Sequence, residues 1–274
     1  MKNTQLIAVL LITCLILSGC SSPKQVEEKW TVVQEKAATF ADGGYVDLWR
    51  SDFGGRDVYK LADGKTLLTV QDPTGPDDVY VGGVESLDDL NETAQKAVLS
   101  YYERQGLLYD VHTELEKAYT EYLKRKTNKE QFYDFLISQD IAPASSNDTM
   151  ICFLTSVILP IGDLGGRSGQ EIRLGAVFNK ETGETYNIWD LFYSPKEEAV
   201  AQLLQAAQVT DKQLIFEMSK AIKPEHFILF PDNLEISFPQ GSLPSQEHLY
   251  LLGIDYGDLE DVIHDWAIPD TIYH

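Results

Sequence analysis

Apolar and polar positions divide this chain into segments of two periods. Between Trp30 and Asp78 the apolar residues come in short runs broken by turn residues: "YVDLW", then Gly54-Gly55, then "DVYKLADGKTLLTV". Ala62-Asp63-Gly64 between two apolar runs predicts a β-hairpin with a type I′-like turn, and "DPTGPDD" (72–78) reads as a loop. From Ser86 the period changes. Leu87, Leu90, Ala94, Ala97, Val98 and Tyr101 recur at three- and four-residue steps, one face of a helix, and Ser86 with Asp89 three residues on fits a capping box. A second helix puts Leu108, Val111, Leu115, Ala118, Tyr119 and Tyr122 on one face and leaves Lys117, Lys124, Arg125 and Lys126 solvated. A third, shorter helix is expected from about Asn128, presenting Phe132, Phe135 and Leu136. The aromatic stripes of these helices read as core.

Residues 150–160, "MICFLTSVILP", form a long apolar strand, expected in the middle of its sheet. "GDLGGRSG" (162–169) is a loop with four glycines, without the Lys-Ser/Thr or the following helix of a phosphate cradle. "EIRLGAVFN" is a strand with Ile172, Leu174, Ala176 and Phe178 on one face; Asn179 to Gly183 then turns the chain into "ETYNIWDLF". Ser194-Pro195-x-Glu197 has the form of a helix start, with Ser as N-cap and Glu completing a capping box, and the helix buries Ala199, Val200, Leu203, Leu204 and Ala207. Thr210-x-x-Gln213 starts another, which stops before Pro224. The rest is strand: "HFILF", a turn at Pro231-Asp232-Asn233, "LEISF", a loop, and "HLYLLGIDY". The order strands, helices, strands, helices, strands predicts an α+β fold of antiparallel sheets with packed helices.

The first nineteen residues read as a targeting segment. Lys2 precedes an apolar run from Leu6 to Leu17, the length of a signal-peptide core and too short to span a bilayer. The run ends in Leu17-Ser18-Gly19-Cys20, which resembles the bacterial lipobox, and this implies lipidation of Cys20 and anchoring at the outer, extracytoplasmic face of the cell membrane. The organisation expected is therefore a signal peptide at 1–19, a lipid-anchored tether at 20–29, an α+β region at 30–148 and a C-terminal α+β domain at 149–274. Cys14 leaves with the signal, so Cys152 is the one internal thiol; it forms no intramolecular disulfide and reads as a small buried hydrophobe.

Charge narrows the partners. The net formal charge of −21 argues against nucleic-acid binding by counterion release. From Pro224 to His274 there is no Lys or Arg against ten Asp and Glu, a field that attracts a basic protein, a cationic peptide or divalent cations. Its densest part is "GIDYGDLEDVI" (253–263), whose Asp255, Asp258, Glu260 and Asp261 are the candidate ligand-binding residues, an acidic surface. Their offsets of 0, 3, 5 and 6 do not match a calcium loop. Ile254, Tyr256 and Leu259 read as the inward positions of a final strand and its turn, with the acids facing water, where they suit the first turn of a short helix. His112, His226, His248, His264 and His274 form no zinc spacing, and no Gly-x-Ser-x-Gly elbow is present. No cofactor, metal or catalytic residue is expected.

Two stretches are similar to a known family. "GAVFNKETGETYNIWDLF" (175–192) and "FILFPDNLEISFPQGSLPSQEHLYLLGIDYGDLEDVI" (227–263) resemble, in order, the RsiV C-terminal domain family, domain of unknown function 3298. The matching positions are Gly183, Asp190, Leu191, Phe192, Phe227, Leu234, Phe238, Ile254, Tyr256 and Leu259, and "TLLTVQDPTGP" with the helices of 86–125 is similar to the domain that commonly precedes it. The chain departs from the family at "PQGSLPSQEHLY", where an aromatic stretch is usual. The resemblance implies an extracytoplasmic α+β sensing or binding module, which in the family's namesake binds lysozyme; it carries over no ligand-contact residue. The expectation is a monomeric, non-catalytic, lipid-anchored binding module of a Gram-positive cell, its ligand a cationic protein of the lysozyme type or a cell-wall component. The alternatives are a hydrolase of cell-wall glycan or peptide working through converging carboxylates, and a structural accessory of a membrane complex.

Overall fold

A computed structural model describes residues 28–71, 87, 90–160 and 169–272. The signal segment, Cys20, most of the tether, the 72–78 loop, the Ser86/Asp89 capping box, most of the glycine loop and His274 lie outside the described residues.

Strands β1 (Trp30–Thr39), β2 (Tyr45–Ser51), β3 (Arg56–Leu61) and β4 (Thr66–Gln71) make an antiparallel meander. The β3–β4 hairpin lies where the sequence places it, with a different turn. Leu61 O accepts from Gly64 N at 2.8 Å and Gly64 sits at φ +84°, while Ala62 and Asp63 keep negative φ. This is a type I turn closed by a glycine bulge. A type I′ turn would need both central residues left-handed, which Ala62 resists.

Helix α1 (Glu92–Gln105) starts at Asn91, whose Oδ1 accepts from Thr93 N and Ala94 N, and ends at Gly106. Helix α2 (Val111–Asn128) is capped by Asp110 and stopped by Lys129 in the left-handed conformation. The third helix expected after it does not form: β5 (Phe135–Ser146) takes its place. Phe132, Phe135 and Leu136 fit one helical turn, but Phe135, Ile137, Gln139 and Ile141 are buried at every second residue, the period of a strand. β5 pairs parallel to β4, Leu68 opposite Phe135, and α1 and α2 supply the crossover that a parallel pair requires.

β6 (Met150–Pro160) and β7 (Gly169–Asn179) extend the sheet antiparallel from β5, and β11 (Thr271–Ile272) joins β5 beside Ser145 and Ser146. The expected boundary at 148/149 falls in the β5–β6 turn, through which this sheet continues. β6 is apolar over Met150–Leu154 because both its faces are covered there. Ile151 and Phe153 pack with Ala94, Val98 and Tyr102 of α1; Met150 and Cys152 face the other way, into a second core. Phe178 and Val177 of β7 divide between the same two cores. Towards the N-terminal strands, Phe135 and Ile137 pack with Leu115 and Ala118 of α2.

The second core is closed by a small antiparallel sheet, β8 (Phe227–Leu229), β9 (Asn233–Phe238) and β10 (Tyr250–Asp255), in the order β10-β9-β8. It lies so close to β7 that a Cβ on Gly175 would meet Phe227 O at 1.8 Å. Arg173 Nε on β7 donates to Glu235 on β9 at 2.8 Å. Helices α3 (Lys196–Ala206) and α4 (Lys212–Ala221) finish this core. α3 buries Ala199, Val200, Leu203 and Leu204 as expected, but the Ser194 cap is not made. Pro195 holds the N-cap position without a side-chain bond, leaving Ser194 one residue too early to reach the free amides. Likewise α4 is capped by Asp211, which accepts from Gln213 N and Leu214 N, and not by Thr210. The α+β class stands as predicted. Among the described residues no helix is long and apolar enough to cross a membrane.

Candidate functional site

β10 is an edge strand, and its alternation sets the geometry of the acidic segment. Leu252 and Ile254 point into the core, opposite Ile236 and Leu234 of β9, while Leu251, Gly253 and Asp255 face water. A 3₁₀ turn follows over Tyr256–Leu259, with Asp255 at its N-cap position and Asp258 in its first turn. Tyr256, Leu259, Val262 and Ile263 are buried beneath it. Asp255, Asp258, Glu260 and Asp261 are all exposed around these anchors. The structure thus leaves all four acids exposed along one short stretch of chain, 255–261. Among the described residues no group of three or more His, Cys, Asp or Glu is placed to hold a metal ion.

The segment after the acids is clamped to the turn before α3. Phe192 and Ile263 form an antiparallel bridge, Tyr193 N donates to Val262 O at 3.0 Å, and His264 N donates to Leu191 O at 2.9 Å. This clamp lines up four rings that periodicity along the chain does not single out. Tyr193 and His264 have ring centroids 4.0 Å apart, His264 and Trp266 stack at 6.1 Å, and Trp266 meets Tyr186 at 5.5 Å. Tyr193 is 53% exposed and Trp266 41%. Tyr186 is half-buried, its hydroxyl accepting from Asn179 Nδ2 at 2.9 Å. Asn147 fixes the Trp266 backbone by donating from Nδ2 to Trp266 O and Ile268 O. The one signal in the sequence is an excess of aromatic residues outside any strand or helix period, in "NIWDLFYS" and "VIHDWA".

The other candidates separate. Cys152 is fully buried, its Sγ accepting from Leu229 N at 3.4 Å, and burial pushes the thiol up to about 12, the environment of a packing residue and not of a thiolate. His226 is buried against Phe238 and His112 lies exposed beside Glu116, so these two share no site with His264. A groove of about 550 Å³ runs between α3 and α4, floored by Val200, Leu204, Val209 and Ile215; Glu197 is its one carboxylate. A shallower one between α1 and the Gly183 turn likewise carries one, Glu184.

No family model matches the chain, and no curated protein does. Among solved structures it is similar to a DUF3298 family protein of Pseudomonas aeruginosa PAO1, with 12% identity and a TM-score of 0.37 over 89% of this chain and 97% of that one. It is also similar to a DUF3298 family member of Bacteroides fragilis, with 13% identity and a TM-score of 0.36 over 87% and 94%. These structural neighbours carry the family description that the motifs of 175–192 and 227–263 resemble.

Proposed function

We propose that this chain is an extracytoplasmic binding module, anchored through a lipid on Cys20 and without a catalytic centre of its own, whose ligand is a cationic protein. The observation that carries the reading is the exposure of Asp255, Asp258, Glu260 and Asp261 within a stretch that has no Lys or Arg of its own. Carboxylates held on buried anchors and left to water are not spent on internal ion pairs, so their field reaches outward. The resemblance of the two C-terminal motifs to a family with a lysozyme-binding member supports the choice of a protein ligand. Such electrostatic association is fast and is screened within about 10 Å at 0.1 M salt.

Titration of the purified chain with lysozyme at low and at moderate ionic strength tests the reading. Binding that weakens steeply with salt is the expected result, and neutralising all four carboxylates to Asn or Gln should flatten that slope. Absence of binding at low salt overturns the lysozyme assignment. Release of products from peptidoglycan, followed by mass spectrometry, would show a hydrolase instead.

A further inference from the structure

The aromatic row beside the acidic turn gives this surface a more specific ligand than positive charge alone. Tyr193, His264, Trp266 and Tyr186 come from two segments that the Phe192–Ile263 bridge holds together, so the row is set by backbone pairing and not by one mobile loop. Other rings of the chain are covered by its own cations: Lys220 lies over Phe216 at 3.9 Å, Lys60 over both Trp30 and Trp49, and Lys196, just past the end of 181–195, over Trp189 within it. Among the described residues no Lys or Arg covers Tyr186, Tyr193 or Trp266 in this way, and the two segments that build the row hold no cation of their own. Neither 181–195 nor 224–274 contains Lys or Arg. They hold exposed carboxylates instead: Glu184 and Asp190 on one, Asp261 and Asp265 on the other, with Asp265 between His264 and Trp266 in sequence.

A ring face attracts a cation, and a guanidinium is the cation that also stacks flat on it while offering several donors to carboxylates. An ammonium is a compact, strongly hydrated charge that gains less from a flat ring. We propose that the Tyr193–His264–Trp266–Tyr186 row is the seat for arginine side chains of the cationic partner, with the flanking carboxylates accepting their N–H donors. This rests on the cationic-ligand reading above and sharpens it: the acidic turn supplies long-range attraction, and the ring row supplies selectivity for arginine over lysine.

Calorimetric titration of the full chain with hexa-arginine and hexa-lysine tests both levels. The expected result is an affinity about tenfold higher for hexa-arginine. Trp266→Leu and Tyr193→Ala should bring hexa-arginine down to the hexa-lysine level without changing the dependence of binding on salt. Trp266→Phe, which keeps a ring, should retain part of the preference, and matching thermal melts would show that the variants fold. Equal affinity for the two peptides, or ring variants that bind as the parent does, overturns the arginine seat while leaving the cationic-ligand reading in place. Failure of both peptides to bind at low salt removes that reading, and the seat with it. A hexamer of N-acetylglucosamine is the remaining arm: binding that Trp266→Leu abolishes would reassign the row to a glycan.

Discussion

At the scale of the residue, Gly175 has the least room for a side chain among the described glycines. Gly175 lies where β7 passes beneath Phe227, and the 1.8 Å between an added methyl and Phe227 O leaves no room for alanine unless the two sheets part. Gly175→Ala should therefore destabilise by about 3 kcal/mol or more, whereas Gly253→Ala, with nothing within 4 Å, should be close to neutral; urea unfolding curves compare the two. In the sequence, Gly175 interrupts an otherwise regular strand, and a glycine there marks a close approach without saying to what. His226 is 4% exposed, and desolvation holds its pKa below the ordinary 6.5. The unfolded chain therefore binds a proton that the folded chain does not. This contribution to stability is intact above about pH 6.5 and is lost as the pH falls below it. Urea midpoints at pH 8 and pH 5.5 should differ less for His226→Leu than for the parent. Burial also predicts that Cys152 stays unmodified by a thiol reagent in the native protein and reacts once urea exposes it.

Elements are legible in the sequence where one periodicity dominates. Spacing alone gives the apolar faces of α2 and α3, and Leu115, Ala118, Leu203 and Leu204 are buried as those faces require. Caps are harder, because neighbouring Ser, Thr and Asp residues compete for the same amides. The structure gives α4 to Asp211, whose Oδ1 accepts from two backbone amides, and leaves Ser194 without a capping bond at α3. Asp211→Ala should cost about 1 kcal/mol, and Ser194→Ala should fall within about 0.5 kcal/mol of the parent, both read as shifts in the urea midpoint. The segment after Asn128 shows the opposite limit. Phe132, Phe135 and Leu136 satisfy a helix and Phe135, Ile137 and Ile141 satisfy a strand; only the parallel partner β4, remote in sequence, decides between them. The candidate surface follows the same rule. Alternation separates the inward set Ile254, Tyr256 and Leu259 from the outward acids. It does not reveal the ring row, which needs the long-range bridge between Phe192 and Ile263.

Across the whole molecule, the sheet ties the N-terminal meander to the C-terminal core through β4, β5 and β6. A fragment starting at residue 149 would keep β6 and lose the partner of its Ile151–Ile158 edge. It should fail to give the cooperative unfolding transition of the full chain, as followed by circular dichroism. In cells, Cys20→Ser should abolish incorporation of labelled palmitate, the direct test of the lipobox reading. The α+β class follows from the order of elements, but the parallel β4–β5 pair and the return of β11 to β5 have no signal in local spacing. That return sets a timetable. β4 pairs with β5 no further than Ser138, and the far end of β5 receives β11 at Ser145 and Ser146. Asn147 likewise waits for the carbonyl of Ile268, 121 residues later. Until the last residues are in place, that end of the strand is a bare edge open to its surroundings, so a chain cut before Thr271 should aggregate more readily than the full chain, as followed by light scattering during refolding.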